Sequence, residues 1–193
     1  MTTPRLVLID TCSLFGLVVD ADMWSCAKSH FAGRVGMTAR IMTELEDHRT
    51  DSKVGRLARS VLADAEWLGT PLRVDEDDDV AEIFRIQALI AGGHPLRHSG
   101  EHLGESELIV AARPIGARIL MDDHDGRVMA RNVGVTAISV HRLLHHWIRD
   151  TVIDSSTAKG FADAMKAADR GADYTEQELI QGGRRAMGRV WEP

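Results

Sequence analysis

Two uninterrupted apolar runs that each end in acidic residues constrain the fold of this chain more than any other feature. Residues 6–9 read LVLI and are followed by Asp10, while residues 118–121 read RILM and are followed by Asp122 and Asp123. Apolar runs without alternation are typical of parallel strands that are buried on both faces. The sequence therefore predicts two core strands with carboxylates at their carboxyl ends.

The rest of the chain alternates between short strands and helical spacing. Weaker strands are predicted at residues 35–38, 71–74 and 136–138, and helices at residues 13–19, 39–48, 53–67, 75–90, 104–115 and 128–133 and from residue 140 onward. Strands that alternate with helices predict a parallel sheet covered on both faces, which binds ligands at the carboxyl ends of its strands. The expected fold class is α/β, a three-layer α/β/α domain with a central parallel sheet over residues 1–149. A helical extension over residues 150–193 is expected to pack on the same domain.

Composition and charge narrow the classes to which the chain can belong. Its 193 residues, 44% hydrophobic and 27% charged, suit one globular domain with a core. The apolar stretch at the amino terminus is too short for a signal peptide or a membrane span, and Cys12 and Cys26 form no metal-ligand pattern. A cytoplasmic protein without a membrane is therefore expected. The net charge of −6 argues against binding a polyanion over a broad surface, so any nucleic acid must be bound locally, with a metal ion supplying positive charge.

Several acidic residues lie where a predicted strand ends or a predicted helix begins. They are Asp10, Glu44, the pair Glu105 and Glu107, and the pair Asp122 and Asp123. Each one alone is explained by helix capping and the helix dipole, which contribute about 0.3–1 kcal/mol. Carboxylates that converge in one cleft, however, repel one another unless a divalent cation neutralises them. Because hard oxygen ligands suit Mg²⁺ or Mn²⁺, the set predicts a metal site.

The order of these acids along the chain resembles that of the PIN-domain ribonucleases. The matching pieces are VLIDTCSLF, MTARIMTELE, GESELIVAAR and ILMDDHDGRVMARNVGV, within residues 5–141. The later pieces HRLLHHWIRD and YTEQELIQGGRRA are similar to one branch of PIN-like proteins. The resemblance implies a PIN-like fold and a nuclease site built from the acids in these pieces.

The resemblance also implies which acids bind the metal ion. Asp10 becomes the first ligand and Glu44 the second. The third is Glu107, with its neighbour Glu105 as the alternative, because residues two apart on a helix point about 200° away from each other. Whichever of the two does not bind the ion is expected to lie just behind the ligands.

The fourth ligand is ambiguous by one residue. A Thr-x-Asp register selects Asp123 as the catalytic acid, whereas an Asp-Asp-x-x-x-Arg register selects Asp122, and both are kept as metal ligands. Met121 stands where the family has Thr, and Cys12 stands where some members have a small polar residue. Thr11 is therefore expected to supply the hydroxyl group that hydrogen-bonds to the ligands.

By the same resemblance, the chain is expected to be an endoribonuclease that depends on Mg²⁺ or Mn²⁺. A metal-bound water would attack phosphorus without a covalent intermediate, on single-stranded or loop RNA. The expected phosphate contacts are Arg40, Arg127 and Arg131. Many family members are toxins of type II toxin–antitoxin pairs, so a small basic antitoxin and a homodimer are the expected protein partners. The alternative is a catalytically inactive PIN-like scaffold that binds RNA or a protein.

Other enzyme classes account for fewer of these residues. A phosphatase of the haloacid-dehalogenase type needs a second Asp two residues after the first, and Cys12 occupies that position. A receiver domain gives no role to the GESE sequence at residues 104–107. Neither class explains all of the acidic positions.

The remaining polar clusters have structural explanations. His94, His98 and His102 are spaced by four, but Pro95 and Gly100 interrupt any helix there, which favours a polar loop. The histidines at 141, 145 and 146 are expected on a helix surface. The acidic run at residues 75–79 is explained by the first turn of a buried helix, with the docking of a basic partner as the alternative. Apolar residues of the last helices are expected to form core or a homodimer surface, and they include Phe161, Met165, Leu179 and Ile180.

Overall fold

A computed structural model describes residues 6–74, 77–92, 94–96 and 98–182 of the chain. It divides into two compact units, one reaching to Ser139 and the other beginning at Val140. The first two residues of the acidic run, Asp75 and Glu76, lie outside the described residues. The expected limit of the nuclease domain at residue 149 stays a prediction.

The first unit is built on a parallel sheet. Within the described residues, the sheet has four strands, which are β1 (Val7–Ile9), β2 (Val35–Gly36), β3 (Arg118–Leu120) and β4 (Ala137–Ile138). Their order is β2-β1-β3-β4, and every pairing is parallel. The two central strands are the two apolar runs, and their residues from Leu8 and from Ile119 onward are buried. The α/β class with a central parallel sheet is therefore confirmed.

Helices flank this sheet. Those of the first unit are α1 (Thr11–Val18), α2 (Ala21–Phe31), α3 (Ala39–Asp47), α4 (Gly55–Leu62), α5 (Asp77–Ile90), α6 (Leu103–Ile115) and α7 (His124–Asn132). Short 3-10 helices cover His48–Thr50 and Ala65–Leu68. Side-chain oxygens of Asp10, Asp20, Thr38 and Asp123 accept backbone N–H groups at the starts of α1, α2, α3 and α7.

Tertiary contacts override the sequence pattern in two places. The helix predicted over residues 53–67 is wrong in its second half, since α4 ends at Leu62. Asp64 beyond it accepts hydrogen bonds from the Trp24 indole and the Lys28 ammonium group of α2, contacts that draw the chain out of the helix. Helix α2 itself was not predicted, and Asp20 is its N-cap.

Two element boundaries also differ from the expectation. The strand predicted at residues 71–74 is reduced to an isolated bridge between Leu72 and Thr38. Pairing stops there because the chain turns into α3 directly after Thr38. Helix α7 begins at His124 rather than Val128, because the side chain of Asp123 caps it.

The second unit is helical as predicted. It contains α8 (Val140–Arg149), α9 (Ser155–Ala167) and α10 (Glu176–Ile180). Nδ1 of His145 lies 3.1 Å from the carbonyl oxygen of Leu179, which joins α8 to α10. The His141 ring stacks on Tyr174 with 4.1 Å between ring centroids. Among the residues described, the structure holds no helix with the length and apolar character that crossing a membrane requires.

Candidate carboxylate site

The central strands bring the first and last acidic positions together. Ile9 pairs with Leu120 across β1 and β3, and the backbone N–H of Asp10 donates to the Leu120 carbonyl oxygen at 3.0 Å. Asp10 and Asp122 thus leave the sheet from adjacent parallel strands at the same edge. Their negative charges interact, since Asp122 raises the pKa of Asp10. The two acids predicted at strand ends therefore belong to one site.

Asp10 is the most deeply buried of these acids. It is 3% exposed, and its Oδ1 accepts the backbone N–H of Ser13 at 2.6 Å as the N-cap of α1. Its Oδ2 is buried and has no hydrogen-bond donor among the described residues. Burial, and then the charge of Asp122, raise the pKa of Asp10 well above its usual range. This oxygen therefore favours a cation or a proton beside it.

Three helices meet at the carboxylate of Glu44. The Thr11 hydroxyl of α1 donates to Glu44 Oε2 at 2.6 Å, and Arg40 Nε donates to Oε1 at 3.2 Å from one turn earlier in α3. On the third side is Gly104 of α6, where an added Cβ would lie 2.7 and 2.9 Å from the two carboxylate oxygens. The orientation of Glu44 is fixed by two donors and by the absence of a side chain at position 104.

The two glutamates of α6 have different surroundings. Burial raises the pKa of Glu105, and the nearby negative charges of Asp123 and Glu44 raise it further. Glu105 also contributes to the raised pKa of Asp10. Glu105 was the alternative third ligand in the sequence. Its charge interacts with those of Asp10, Glu44 and Asp123.

Glu107 instead sits among hydrogen-bond donors at the start of α3. Its Oε1 accepts the backbone N–H of Arg40 at 3.3 Å. Burial raises the pKa of Glu107, and hydrogen bonds from the Thr38 hydroxyl and the Arg40 amide oppose the rise. A carboxylate at the amino end of a helix is favourable in its own right. The surroundings of Glu107 are accounted for by this contact between α6 and α3.

The two acids that follow β3, Asp122 and Asp123, make different interactions. Oδ1 of Asp123 accepts the backbone N–H of Gly126 at 2.6 Å, which caps α7. Asp122 is the one that acts on Asp10. An added Cβ at Gly126 would lie 2.6 Å from the Met121 sulfur and 3.1 Å from Asp123 Oδ1, so α7 approaches this end of β3 closely. Both acids lie beside the carboxylate cluster, which comprises Asp10, Glu44 and Glu105. Geometry alone does not select Asp122 or Asp123 as the fourth ligand.

The arginines expected at phosphate groups lie in different places. Arg40 is half-buried and paired with Glu44 inside the cluster. Arg127 Nη1 donates to the Met121 carbonyl oxygen at 2.9 Å, at the end of β3. Arg131 is exposed further along α7. Arg40 therefore contacts a predicted metal ligand, Glu44.

The carboxylate oxygens of these residues suit a hard cation, although the carboxylates are too far apart to bind one ion together. Among the described residues, no three His, Cys, Asp or Glu side chains are grouped closely enough to hold a metal ion as they stand. Oxygen donors and the unpartnered buried Oδ2 of Asp10 fit Mg²⁺ or Mn²⁺. Binding such an ion requires the carboxylates around Asp10 to draw together.

The loop histidines lie near the acids without being hydrogen-bonded to them in the described residues: His102 acts on the charge of Glu105, and His98 and Arg40 both lie within 3.4 Å of where a Cβ on Gly100 would be. His94 and His98 are exposed, and His102 stands at the start of α6 with a left-handed backbone, φ 61°. The Ser106 hydroxyl donates to the carbonyl oxygen of His102 at 2.6 Å. The backbone of His102 thus forms part of the turn into α6.

Sequence reasoning missed the close approaches that shape the site. The GESE sequence contained the signal for one of them. Glycine has a low helix propensity, so its presence in the first turn of a helix calls for an explanation. At Gly104 the explanation is the carboxylate of Glu44, which occupies the space where a side chain would lie. Comparison of the chain with models of protein families, with curated proteins and with solved structures gave no match.

Proposed function

We propose that this chain is a metal-dependent endoribonuclease of the PIN type, with its sheet as the middle layer of a three-layer α/β/α domain. The observation that carries the proposal is the buried Asp10, whose Oδ2 has no donor among the described residues and whose neighbours Asp122 and Glu105 are negatively charged. Such a cluster is costly unless a cation enters it. A divalent ion at the carboxyl edge of a parallel sheet meets that need.

The proposed ligands are Asp10, Asp122 and Glu105, with Glu44 and Asp123 beside them. When bound, the ion supplies a water of lowered pKa and positive charge for the phosphate in the transition state. The protein supplies orientation: Thr11 and Arg40 hold Glu44 in place through donated hydrogen bonds. Glu107, the third ligand implied by the resemblance, is proposed instead to anchor α3.

Single-stranded or loop RNA is the proposed substrate. The net charge of −6 disfavours a broad electrostatic footprint on a duplex, so contacts to a short stretch of strand fit the chain better. The PIN resemblance extends the proposal to a toxin held by a small basic antitoxin. Arrest of bacterial growth on expression, relieved by the Asp10 substitution, tests that extension.

The deciding experiment compares Asp10→Asn with Asp20→Asn. Both residues are aspartate N-caps, but Asp20 caps α2 outside the cluster, so it controls for the loss of a charged cap. Purified proteins are incubated with a labelled single-stranded RNA and Mg²⁺ or Mn²⁺, with EDTA as the blank. We expect cleavage by the wild type and by Asp20→Asn, and none by Asp10→Asn or in EDTA. Cleavage that survives in folded Asp10→Asn would refute the site.

A further inference from the structure

An open groove lies beside the carboxylate cluster, at the carboxyl end of β2. Its volume is about 270 Å³, and its lining residues are Ala39, Arg40, Thr43, Arg73, Val74 and Glu107. Arg40 belongs both to this groove and to the cluster, because its Nε donates to Glu44. A strand bound in the groove would therefore contact a residue that also contacts Glu44.

Arg73 is held at this position by backbone pairing. The neighbouring Leu72 accepts the N–H of Ala39 at 2.7 Å and donates to the Met37 carbonyl oxygen at 2.9 Å, which fixes the chain against the start of α3. The Arg73 side chain is exposed and makes no hydrogen bond or ion pair with any described residue. The backbone position of Arg73 is therefore set by the hydrogen bonds of Leu72.

Two basic side chains, Arg40 and Arg73, and one acidic side chain, Glu107, line the groove. The carboxylate of Glu44 is met by Thr11 and Arg40, and that of Glu107 by the amide of Arg40 and by the Thr38 hydroxyl. Among the described residues, the guanidinium of Arg73 has no hydrogen-bond acceptor or ion-pair partner, and the amino end of α3 adds a partial positive charge. Arginine is also the side chain best shaped to bind a phosphate through two parallel hydrogen bonds.

We infer that the groove binds a phosphate group of the RNA strand next to the bond that is cut, with Arg73 as its principal contact. The inference rests on the proposed function, because it assigns a subsite to the same substrate. Arg73 is not among the phosphate contacts that the family resemblance implied. The inference also places the substrate strand on the β2 side of the cluster. Arg40 then contacts both the strand and the ligand Glu44.

Binding of a fluorescent single-stranded oligoribonucleotide, followed by anisotropy in the Asp10→Asn background, tests the groove. Arg73→Ala is compared with Arg56→Ala, which removes an equally exposed arginine of α4 that has no partner among the described residues. We expect Arg73→Ala to raise Kd about tenfold, the effect of losing one charge-assisted contact. The dependence of log Kd on log salt should weaken by about 0.7, the value for one phosphate of a single strand. Arg73→Lys should keep the salt dependence, and Arg56→Ala should change neither quantity.

Three outcomes separate this inference from the proposed function. If Arg73→Ala and Arg56→Ala bind RNA alike, the groove is not the subsite, and the nuclease proposal stands on its own test. If Arg73→Ala weakens binding but the wild type does not cut RNA, the groove stands only as an RNA-binding site and the nuclease proposal falls. If the Asp10→Asn protein binds no RNA, the groove is overturned as a subsite, and the nuclease proposal is decided by the cleavage test.

Discussion

The hydroxyl of Thr11 donates a 2.6 Å hydrogen bond to Oε2 of Glu44, which lies 33 residues further along the chain. This bond ties the first residue of α1 to the middle of α3. With Arg40 on the other carboxylate oxygen, it leaves Glu44 little rotational freedom. The acid that follows β1 and the acid on α3 are therefore held in a set relation before any ligand arrives.

Removing this hydroxyl should cost stability. Thr11→Val keeps the shape of a buried side chain but withdraws a donor from a carboxylate, so we expect unfolding free energy to fall by about 1.5–3 kcal/mol. Thr11→Ser keeps the donor and should lose less. Urea unfolding followed by tryptophan fluorescence measures both, and equal stability of the two variants would mean that the hydrogen bond contributes nothing.

Asp10→Asn should stabilise the protein in EDTA. Asparagine is as good an N-cap as aspartate, so the Ser13 contact is kept, while the buried charge beside Asp122 is removed. Thermal unfolding should show a higher Tm for Asp10→Asn than for the wild type. Added Mn²⁺ should raise the Tm of the wild type only, because the ion binds the native carboxylates. A lower Tm in EDTA would show that the charge of Asp10 is already compensated.

Neutralising the two glutamates of α6 should have unequal effects. Glu105→Gln removes a charge that is coupled to Asp10 and Asp123, so Mn²⁺ affinity measured by calorimetry should fall about 100-fold. Glu107→Gln keeps an acceptor for the Arg40 amide and the Thr38 hydroxyl, so affinity should change little. Equal losses in both variants would restore Glu107 as a ligand.

A shorter side chain at position 107 tests whether Glu107 anchors α3, separately from whether it binds the metal ion. Glu107→Ala leaves the donors at the start of α3 without their acceptor, so the protein should be less stable than Glu107→Gln. Hydrogen exchange at the Arg40 amide should also be faster in Glu107→Ala. If exchange at this amide is the same in both variants, the contact between α6 and α3 does not anchor the helix.

The second unit should lose stability in mild acid through His146. Burial, helped by the positive charges of Arg149 and Arg142, lowers the pKa of His146 to about 4. Because the folded pKa lies below the unfolded value near 6.5, the unfolded state binds more protons between these values. Stability is therefore complete above about pH 6.5 and falls as the pH drops toward 4. His146→Gln should flatten this part of the stability profile in urea unfolding, and an unchanged profile in this variant would refute the role of His146.

The sequence predicted the parts of the fold that local chemistry decides. Strands β1 and β3 are buried from Leu8 and from Ile119 onward, so these residues form apolar runs that are readable without a structure. Helix α2 and the end of α4 were beyond reach, because the contact between Lys28 and Asp64 joins residues that are distant in the chain. The same limit applied to Glu105 and Glu107: helical spacing shows that they diverge, but only the position of α3 decides which one faces Asp10.

Gly104 has a consequence for how this protein tolerates change. It occupies a helical position at which alanine is usually favoured by about 1 kcal/mol, yet a methyl group there would collide with the oxygens of Glu44. A deep mutational scan should therefore find this small residue less replaceable than many larger ones around it. Routine helix optimisation would start by filling that volume, and it would then displace the Glu44 carboxylate from its hydrogen bonds with Thr11 and Arg40.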